Sequence, residues 1–231
     1  MRFDLPILST TQTRRRSLMA MAAVFASSFA WRAAQAWNEG QLQRSMSSRF
    51  GDAGLRRMQS WFAMLDAQNG KSIAQRLNAV NDFWNQQLLA GIDAQIWKES
   101  DYWATPVESL GRGTGDCEDF VIGKYFSLIK LGVPSQQMRF IYVRARVGGV
   151  GSTRSVAHMV LGFYESPQAV PVVLDNLVGS IQKANQRTDL TPVFSFDAEG
   201  VYVDGQRSAS SERINRWQGL LVRMRQEGFE V

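Results

Sequence analysis

DCEDFVIGKYFSLIKLG, residues 116–132, is the stretch at which the chain changes from helical to strand periodicity. We predict a helix that begins at or just before Cys117, because Asp116 is a good N-cap residue and acidic side chains fill the first turn. Gly132, with a proline two residues later, ends the pattern. The only cysteine of the chain therefore lies at a helix start between carboxylates, whose negative charge opposes ionisation of the thiol.

Helical patterns precede this stretch, and strand patterns follow it. Residues 53–89 carry apolar side chains at helical spacing, with a break at Asn69-Gly70 that separates two helices. Residues 97–115, rich in Trp, Tyr, Pro and Gly, are predicted to be a loop. The remaining patterns predict strands at 138–147, 156–165 and 170–177, a hairpin at 193–203 that continues the sheet, and a closing helix within 211–224. Helices followed by an antiparallel sheet predict an α+β domain.

The first 36 residues are typical of a secretory signal peptide. An arginine triplet at 14–16 precedes a short apolar run at 17–31, and Ala34-Gln35-Ala36 offers a cleavage site. We therefore predict export, to the periplasm, of one mature domain at residues 37–231. An uncleaved membrane anchor is the alternative, and the choice between general and twin-arginine export stays open. Of the formal net charge of +5, this leader carries +4, so the charge does not indicate nucleic-acid binding by the mature domain. No apolar run is long enough for a transmembrane helix.

Export makes a single cysteine informative. Structural cysteines in an oxidising compartment come in pairs, so an unpaired Cys117 indicates a reactive thiol or an intermolecular bridge. A buried, inert cysteine is the alternative, although the neighbouring acids argue against that kind of burial. One cysteine and one histidine are too few to form a zinc site from these residue types.

His158 is the only histidine and lies within the apolar strand pattern. A histidine in such a place is usually a satisfied core residue. However, a hairpin centred between Ser166 and Pro167 would place it opposite Asp175 on the next strand. The carboxylate would then accept the imidazole N–H and support the imidazolium. A slip in register would separate the pair, and Asp175 would then be only a turn former.

Cys117 at a helix start, followed by His158 and Asp175 on adjacent strands, has the order of a papain-like or transglutaminase-like triad. In such a triad the thiolate attacks an acyl carbon, the imidazole transfers the proton, and the carboxylate orients the imidazole. The oxyanion would be held by the Cys117 N–H and a second donor, which we expect within residues 97–103. The sequence therefore predicts an acyl-transferring or hydrolysing enzyme.

The carboxylates of Asp116, Glu118 and Asp119 require an explanation. A negative charge about 6 Å away disfavours the thiolate by roughly 2–3 kcal/mol at an effective dielectric constant of about 20. That rivals the helix-end contribution of about 0.3–2 kcal/mol. A bound divalent cation would reverse the sign, and carboxylates with carbonyls of the glycine-rich segment 111–115 would suit Ca²⁺. Solvated first-turn helix charges are the simpler alternative, and the residues alone leave both open.

Three blocks of sequence resemble the bacterial transglutaminase-like cysteine proteinases of the LapG type: GTGDCEDF (113–120), AHMVL (157–161) and VLDNL (173–177). The exported leader and DYWATPVESLGRG (101–113) strengthen the resemblance, which covers most of the mature chain, from about Trp61 to the sheet near residue 203. It implies a calcium-dependent cysteine endopeptidase of papain-like or transglutaminase-like fold. The residues it implies are the triad Cys117, His158 and Asp175 and the calcium ligands Asp116 and Glu118, with Asp119 a weaker candidate.

The resemblance also implies a biological setting. Members of the family act in the periplasm and cleave the N-terminal region of a large surface adhesin next to a pair of alanines. Cleavage releases the adhesin and promotes biofilm dispersal. An inner-membrane receptor that senses cyclic di-GMP sequesters the protease when the nucleotide is plentiful.

Two other classes of function stay open. The same triad would serve an envelope transglutaminase or amidase, which incorporation of a labelled primary amine would reveal. A non-catalytic periplasmic binding module, whose acidic loop recognises a partner, would keep its activity after alkylation of the thiol.

Overall fold

A computed structural model describes residues 37–149, 151–203, 206–210 and 214–231. The predicted signal peptide at residues 1–36 lies outside the described residues and stays a prediction. Within the described part, helices come first and an antiparallel sheet follows, which confirms the α+β prediction. None of the helices described there combines the length and apolarity needed to cross a membrane.

The helices carry the N-terminal half and the C-terminal end of the described chain. Short 3₁₀ segments at Ser135–Gln137 and Ala184–Gln186 accompany them. The α-helices are α1 (Glu39–Ala67), α2 (Ile73–Gln87), α3 (Asp93–Ile96), α4 (Pro106–Arg112), α5 (Cys117–Lys130) and α6 (Asn215–Glu227).

The two helices predicted within residues 53–89 are present as α1 and α2. α1 begins earlier than predicted and is interrupted at Gly51, where φ is 62° and ψ is −160°. Trp61 and Trp84 of the predicted apolar stripes are fully buried, as expected. Ile73, the first apolar residue of the α2 pattern, is 38% exposed, because it stands in the first turn of that helix.

The predicted loop at residues 97–115 was wrong over its second half, which forms α4 and a short strand. A capping box starts α4: the Thr105 side chain accepts from the N–H of Glu108, and the Glu108 side chain accepts from the N–H of Thr105. Pro106 at the first helical position has its φ angle preset for the helix. These signals outweigh the loop-like composition of the segment.

The strands form two sheets and are β1 (Leu89–Ala90), β2 (Thr114–Gly115), β3 (Met138–Arg146), β4 (Ser155–Phe163), β5 (Val172–Leu174), β6 (Gln182–Lys183), β7 (Leu190–Phe196), β8 (Val201–Val203) and β9 (Gln206–Ala209). The larger sheet is antiparallel throughout, in the order β6-β5-β4-β3-β7-β8-β9. β1 and β2 form a separate two-stranded parallel sheet, and β2 comes just before α5.

The central strand β4 is covered on both faces, as its continuous apolar run predicts. Met159 and Leu161 belong to the main core, which the helices share. Val160 belongs to a smaller apolar cluster with Ile141 and Val143 of β3. Each fully buried aliphatic side chain of this kind contributes about 1.5–3 kcal/mol relative to an exposed one.

Close packing of α2 against α5 fixes the helix that begins at Cys117. A Cβ atom at Gly123 of α5 would lie 2.5 Å from the indole of Trp84, so only glycine allows this approach. The indole N–H groups of Trp84 and Trp61 both donate to the hydroxyl of Ser127, at 2.9 and 2.8 Å. One hydroxyl therefore joins α1, α2 and α5 in the core.

The register of the β4–β5 hairpin differs from the predicted one by two residues. Leu161 pairs with Leu174, so the hairpin is centred one residue later than predicted, between Pro167 and Gln168. A shift of two residues keeps every side chain on its predicted face, because the side-chain period of a strand is two. His158 and Asp175 are therefore diagonal neighbours and not directly opposed.

Candidate active site

Cys117 occupies the first turn of α5, as predicted. Asp116 is the N-cap, and its Oδ1 atom accepts from the N–H of Asp119 at 3.4 Å. The thiol is free and only partly buried. Its helix, α5, packs against β4, the strand that carries His158.

In this structure the thiol bonds to a neighbouring carboxylate. Sγ of Cys117 donates to Oε2 of Glu118 at 2.7 Å, and the Tyr142 hydroxyl donates to the other oxygen, Oε1, at 3.1 Å. Burial raises the pKa of the Cys117 thiol, and the negative charges of Glu118 and Asp116 raise it further. The N–H of Met159 acts in the opposite direction but does not offset these effects. The acids thus suppress the thiolate, as the sequence predicts.

His158 and Asp175 are in contact. Nε2 of His158 lies 2.7 Å from Oδ1 of Asp175, and the two residues are 3% and 1% exposed. Burial alone would raise the pKa of Asp175, but the hydrogen bond and charge of His158, the Leu177 N–H and Arg187 lower it to about 2. An ionised carboxylate only accepts, so Nε2 carries the proton and Nδ1 is the basic nitrogen of the neutral ring.

Asp175 also binds a residue that the sequence did not identify. Nη2 of Arg187 donates to Oδ2 of Asp175 and to Oδ2 of Asp189, both at 2.7 Å. Nothing in the sequence around Arg187 signals this role, because the contact depends on how the β6–β7 connection folds back.

Three other carboxylates form a cluster at the start of α5. One oxygen each of Asp93, Asp116 and Asp119 lies within 4.8 Å of the other two. The Tyr102 N–H donates to Oδ2 of Asp93 at 2.6 Å, and the Ala104 N–H donates to Oδ1 of Asp119 at 2.8 Å. Asp93 was not identified from the sequence, because it lies 23 positions before Asp116 and no local motif connects the two.

The cluster fits an oxygen-binding cation. Oδ1 of Asp93 and Oδ2 of Asp119 are buried without a hydrogen-bond partner, and carboxylate oxygens are the ligands that Ca²⁺ takes. Burial, together with the neighbouring acids, raises the pKa of Asp116 to about 9 and also raises the pKa values of Asp93 and Asp119. Burial of these neighbouring acids therefore favours a positive partner, which a bound cation would supply.

Glu118 lies next to the cluster, but its carboxylate has different partners. One of its oxygens accepts from the thiol of Cys117, and the other accepts from the hydroxyl of Tyr142. The three-carboxylate cluster does not include it. Its charge still raises the pKa of Asp116. The prediction that Glu118 is a calcium ligand stays a prediction.

The glycine carbonyls of segment 111–115 have hydrogen-bond donors of their own. The carbonyls of Gly111, Gly113 and Gly115 accept from Arg57, Leu89 and Gly91. Gly115 is also required by space, since a Cβ atom there would lie 2.8 Å from Oδ2 of Asp119. The expectation that carbonyls of this segment bind Ca²⁺ stays a prediction.

The aromatic segment before α4 is partly core. Trp103 is 3% exposed and stacks on Phe196 at 5.6 Å between ring centroids. Trp97 and Tyr102 are half-buried and pack on each other at 4.9 Å. The backbone N–H groups of Trp97 and Tyr102 bind Asp93, whereas the indole N–H groups of Trp97 and Trp103 are buried without a hydrogen-bond partner. The second oxyanion donor expected from this segment stays a prediction.

Comparisons with known proteins agree with this geometry. The profile of the bacterial transglutaminase-like cysteine proteinases (BTLCP) matches residues 59–191. No curated protein sequence matches the chain.

Solved structures of LapG from Legionella pneumophila are similar to the chain. One is 38% identical, with a TM-score of 0.68, over 80% of this chain and 96% of that chain. An EGTA-treated form is 39% identical, with a TM-score of 0.69 over the same shares. A calcium-bound form is 39% identical, with a TM-score of 0.68, over 80% of this chain and 98% of that chain.

Proposed function

The chain belongs to the bacterial transglutaminase-like cysteine proteinase family, and from this premise we propose a calcium-dependent cysteine endopeptidase whose triad is Cys117, His158 and Asp175. The observation that carries the proposal is the buried hydrogen bond between His158 and Asp175, at a strand against which the helix of Cys117 packs. A histidine oriented by a carboxylate beside a helix-start thiol is the arrangement that nucleophilic catalysis needs.

The reaction would proceed by proton transfer through His158. Nδ1 takes the thiol proton, and the sulfur of Cys117 bonds to the carbonyl carbon of the scissile peptide. As the C–N bond breaks, the imidazolium gives its proton to the leaving amine. Water then attacks the thioester, His158 takes a proton from that water, and the proton returns to the sulfur. The thiol must first exchange its hydrogen bond with Glu118 for one with His158.

Calcium dependence is supported by the acids at the start of α5. Asp93, Asp116 and Asp119 would hold the ion, and Glu118 adjoins them as a further candidate ligand. A bound cation would supply positive charge that offsets these carboxylates and so relieves their suppression of the thiolate. The calcium-bound LapG from Legionella pneumophila supports the same reading.

The finer biology follows the resemblance of the sequence motifs. We propose export by a signal peptide at residues 1–36, with residues 37–231 acting in the periplasm. The substrate would be the N-terminal region of a large surface adhesin, whose release promotes biofilm dispersal. An inner-membrane receptor for cyclic di-GMP would sequester the enzyme.

The test combines residues 37–231 with the N-terminal fragment of a candidate adhesin from the same genome. Each reaction contains added calcium or a chelator and a labelled primary amine, and Cys117→Ala is the control. We expect cleavage only with calcium and only with the thiol, without amine incorporation. Cleavage by the variant would overturn the triad. Incorporation of the amine would instead favour an acyltransferase.

A further inference from the structure

Arg187 is the residue that completes the surroundings of Asp175, and we propose that it is a positioning residue for the His158–Asp175 pair, anchored by Asp189. The inference rests on the proposed function, since it assigns a role within the same site. Arg187 is 4% exposed and lies in the connection between β6 and β7.

Hydrogen bonds fix both the guanidinium group and the backbone of Arg187. Its Nε and Nη2 atoms donate to the two oxygens of Asp189, at 2.9 and 2.7 Å, which is a bidentate pair. Nη2 also reaches Oδ2 of Asp175 at 2.7 Å. The backbone is held by turns on either side, since the Arg187 N–H donates to the Ala184 carbonyl and the Leu190 N–H donates to the Arg187 carbonyl.

The Asp175 carboxylate is thereby held in one orientation. Oδ1 accepts from His158 at 2.7 Å and from the Leu177 N–H at 3.0 Å, and Oδ2 accepts from Arg187. Its backbone carbonyl accepts from Asn85 of α2. Without Arg187, Oδ2 would be buried and unpaired, and rotation of the carboxylate would misalign Oδ1 with the imidazole.

A stabilising role alone explains this arrangement poorly. Buried ion pairs add little net stability compared with apolar residues of similar size. Nη1 of Arg187 is also buried without a partner, which lowers stability further. We therefore explain the Arg187–Asp175 contact by its effect on the orientation of the Asp175 carboxylate and not by a gain in stability.

Other charges face Asp175 and must be kept constant in a test. Lys124 of α5, which is fully buried, acts on Asp175 through its charge. His158 of β4 also pairs with Asp175, and Asp189 pairs with Arg187. Substitutions of Arg187 and Asp189 leave Lys124 and His158 in place.

The single histidine of the chain allows a direct readout. Nitrogen NMR of tag-free protein reports whether the neutral His158 ring carries its proton on Nε2, the nitrogen that donates to Asp175. We expect Arg187→Met to reduce the Nε2–H form and to lower kcat by about 10- to 100-fold with little change in KM. Asp189→Asn should give a smaller loss in the same direction, because the Arg187–Asp175 contact survives.

Arg139→Met is the matched control, since Arg139 also pairs with a buried aspartate, Asp197, at 3.5 Å. It should leave the tautomer and kcat unchanged. An Arg187→Met enzyme with the wild-type tautomer and kcat would overturn the inference and leave the triad intact. If that variant does not fold, unchanged behaviour of Asp189→Asn would overturn it instead. If the wild type cleaves nothing, the proposed function fails, and the tautomer still tests the Arg187 contact.

Discussion

Nε2 of His158 bonds to Oδ1 of Asp175 across two strands, although Asp175 lies one residue beyond the last ladder pair of β5. The contact is diagonal, a geometry in which longer side chains still reach each other. Because Asp175 is not paired in the β4–β5 ladder, its side chain can also accept hydrogen bonds from the Leu177 N–H and from Arg187. The position of the carboxylate thus depends on its partners more than on strand pairing.

The first prediction concerns this hydrogen bond. Asp175→Asn should lower kcat by about 10²- to 10⁴-fold with KM nearly unchanged, because an amide no longer fixes the imidazole tautomer or stabilises the imidazolium. Steady-state kinetics on the adhesin fragment measure the effect. Asp197→Asn, at another buried aspartate of the sheet, is the control and should retain activity. Comparable losses in both variants would contradict the role of Asp175.

The second prediction is a pH dependence of stability. The pKa of Asp175 is lowered to about 2 by His158, Leu177 and Arg187, which outweigh burial. A lowered pKa stabilises the fold above the ordinary aspartate value and loses that effect as the pH falls through the folded value. The stability of wild type relative to Asp175→Asn should therefore fall by about 2 kcal/mol as the pH is lowered from 5 toward 2.

Urea denaturation at several pH values across this range measures that difference. A stability difference that stays constant over the whole range would contradict the lowered pKa of Asp175.

The third prediction tests the acid cluster. Added calcium should raise the melting temperature of the wild type by several degrees, because a ligand that binds only the folded state stabilises it. Asp93→Asn and Asp119→Asn should each lose most of this rise, since both residues belong to the cluster and each has a buried oxygen without a hydrogen-bond partner. Asp101→Asn is the control, because Asp101 pairs with Arg216. An undiminished rise in the cluster variants would place the ion elsewhere.

The fourth prediction concerns the thiol. Glu118→Gln should speed alkylation of Cys117 by about tenfold near neutral pH in the presence of a chelator, because removing one adjacent charge lowers the thiol pKa by about one unit. Tyr142→Phe is the matched control, since it removes a hydrogen bond to Glu118 but leaves the charge. Faster alkylation in the control and not in Glu118→Gln would contradict this account of the raised pKa.

The fifth prediction tests the packing that supports the catalytic helix. Gly123→Ala should destabilise the fold by about 1–3 kcal/mol, because the new Cβ would meet the indole of Trp84 at 2.5 Å. Gly219→Ala in α6 is the control: its nearest contact is the end of Arg223 at 3.6 Å. That variant should gain about 0.5–1 kcal/mol from helix propensity. Equal urea midpoints would contradict the close approach of α2 and α5.

Local signals made part of this fold predictable. The helix at Cys117 and the strand of His158 follow from capping residues and apolar periodicity within short windows of sequence. The hairpin was placed one residue too early because proline and serine neighbours do not specify the turn uniquely. A two-residue shift preserves the faces, so Asp175 was still identified as the partner of His158.

Other parts of the site were beyond local signals. Asp93 and Arg187 reach it through connections whose paths depend on tertiary packing, and neither has a motif around it. α4 did carry a signal, the Thr105–Glu108 capping box, which the loop-like composition of the segment obscured. Local sequence signals therefore indicate the proposed reacting groups more readily than the residues that hold them in place.

The most direct test of the central claim is cleavage of the adhesin fragment in water enriched in the heavy oxygen isotope, with calcium present. Mass spectrometry of the products would compare wild type with Cys117→Ala and His158→Ala. We predict one new carboxyl terminus that contains heavy oxygen for the wild type, and uncleaved substrate for both variants. Cleavage by either variant, or a product without the heavy isotope, would contradict a cysteine endopeptidase that acts through Cys117 and His158.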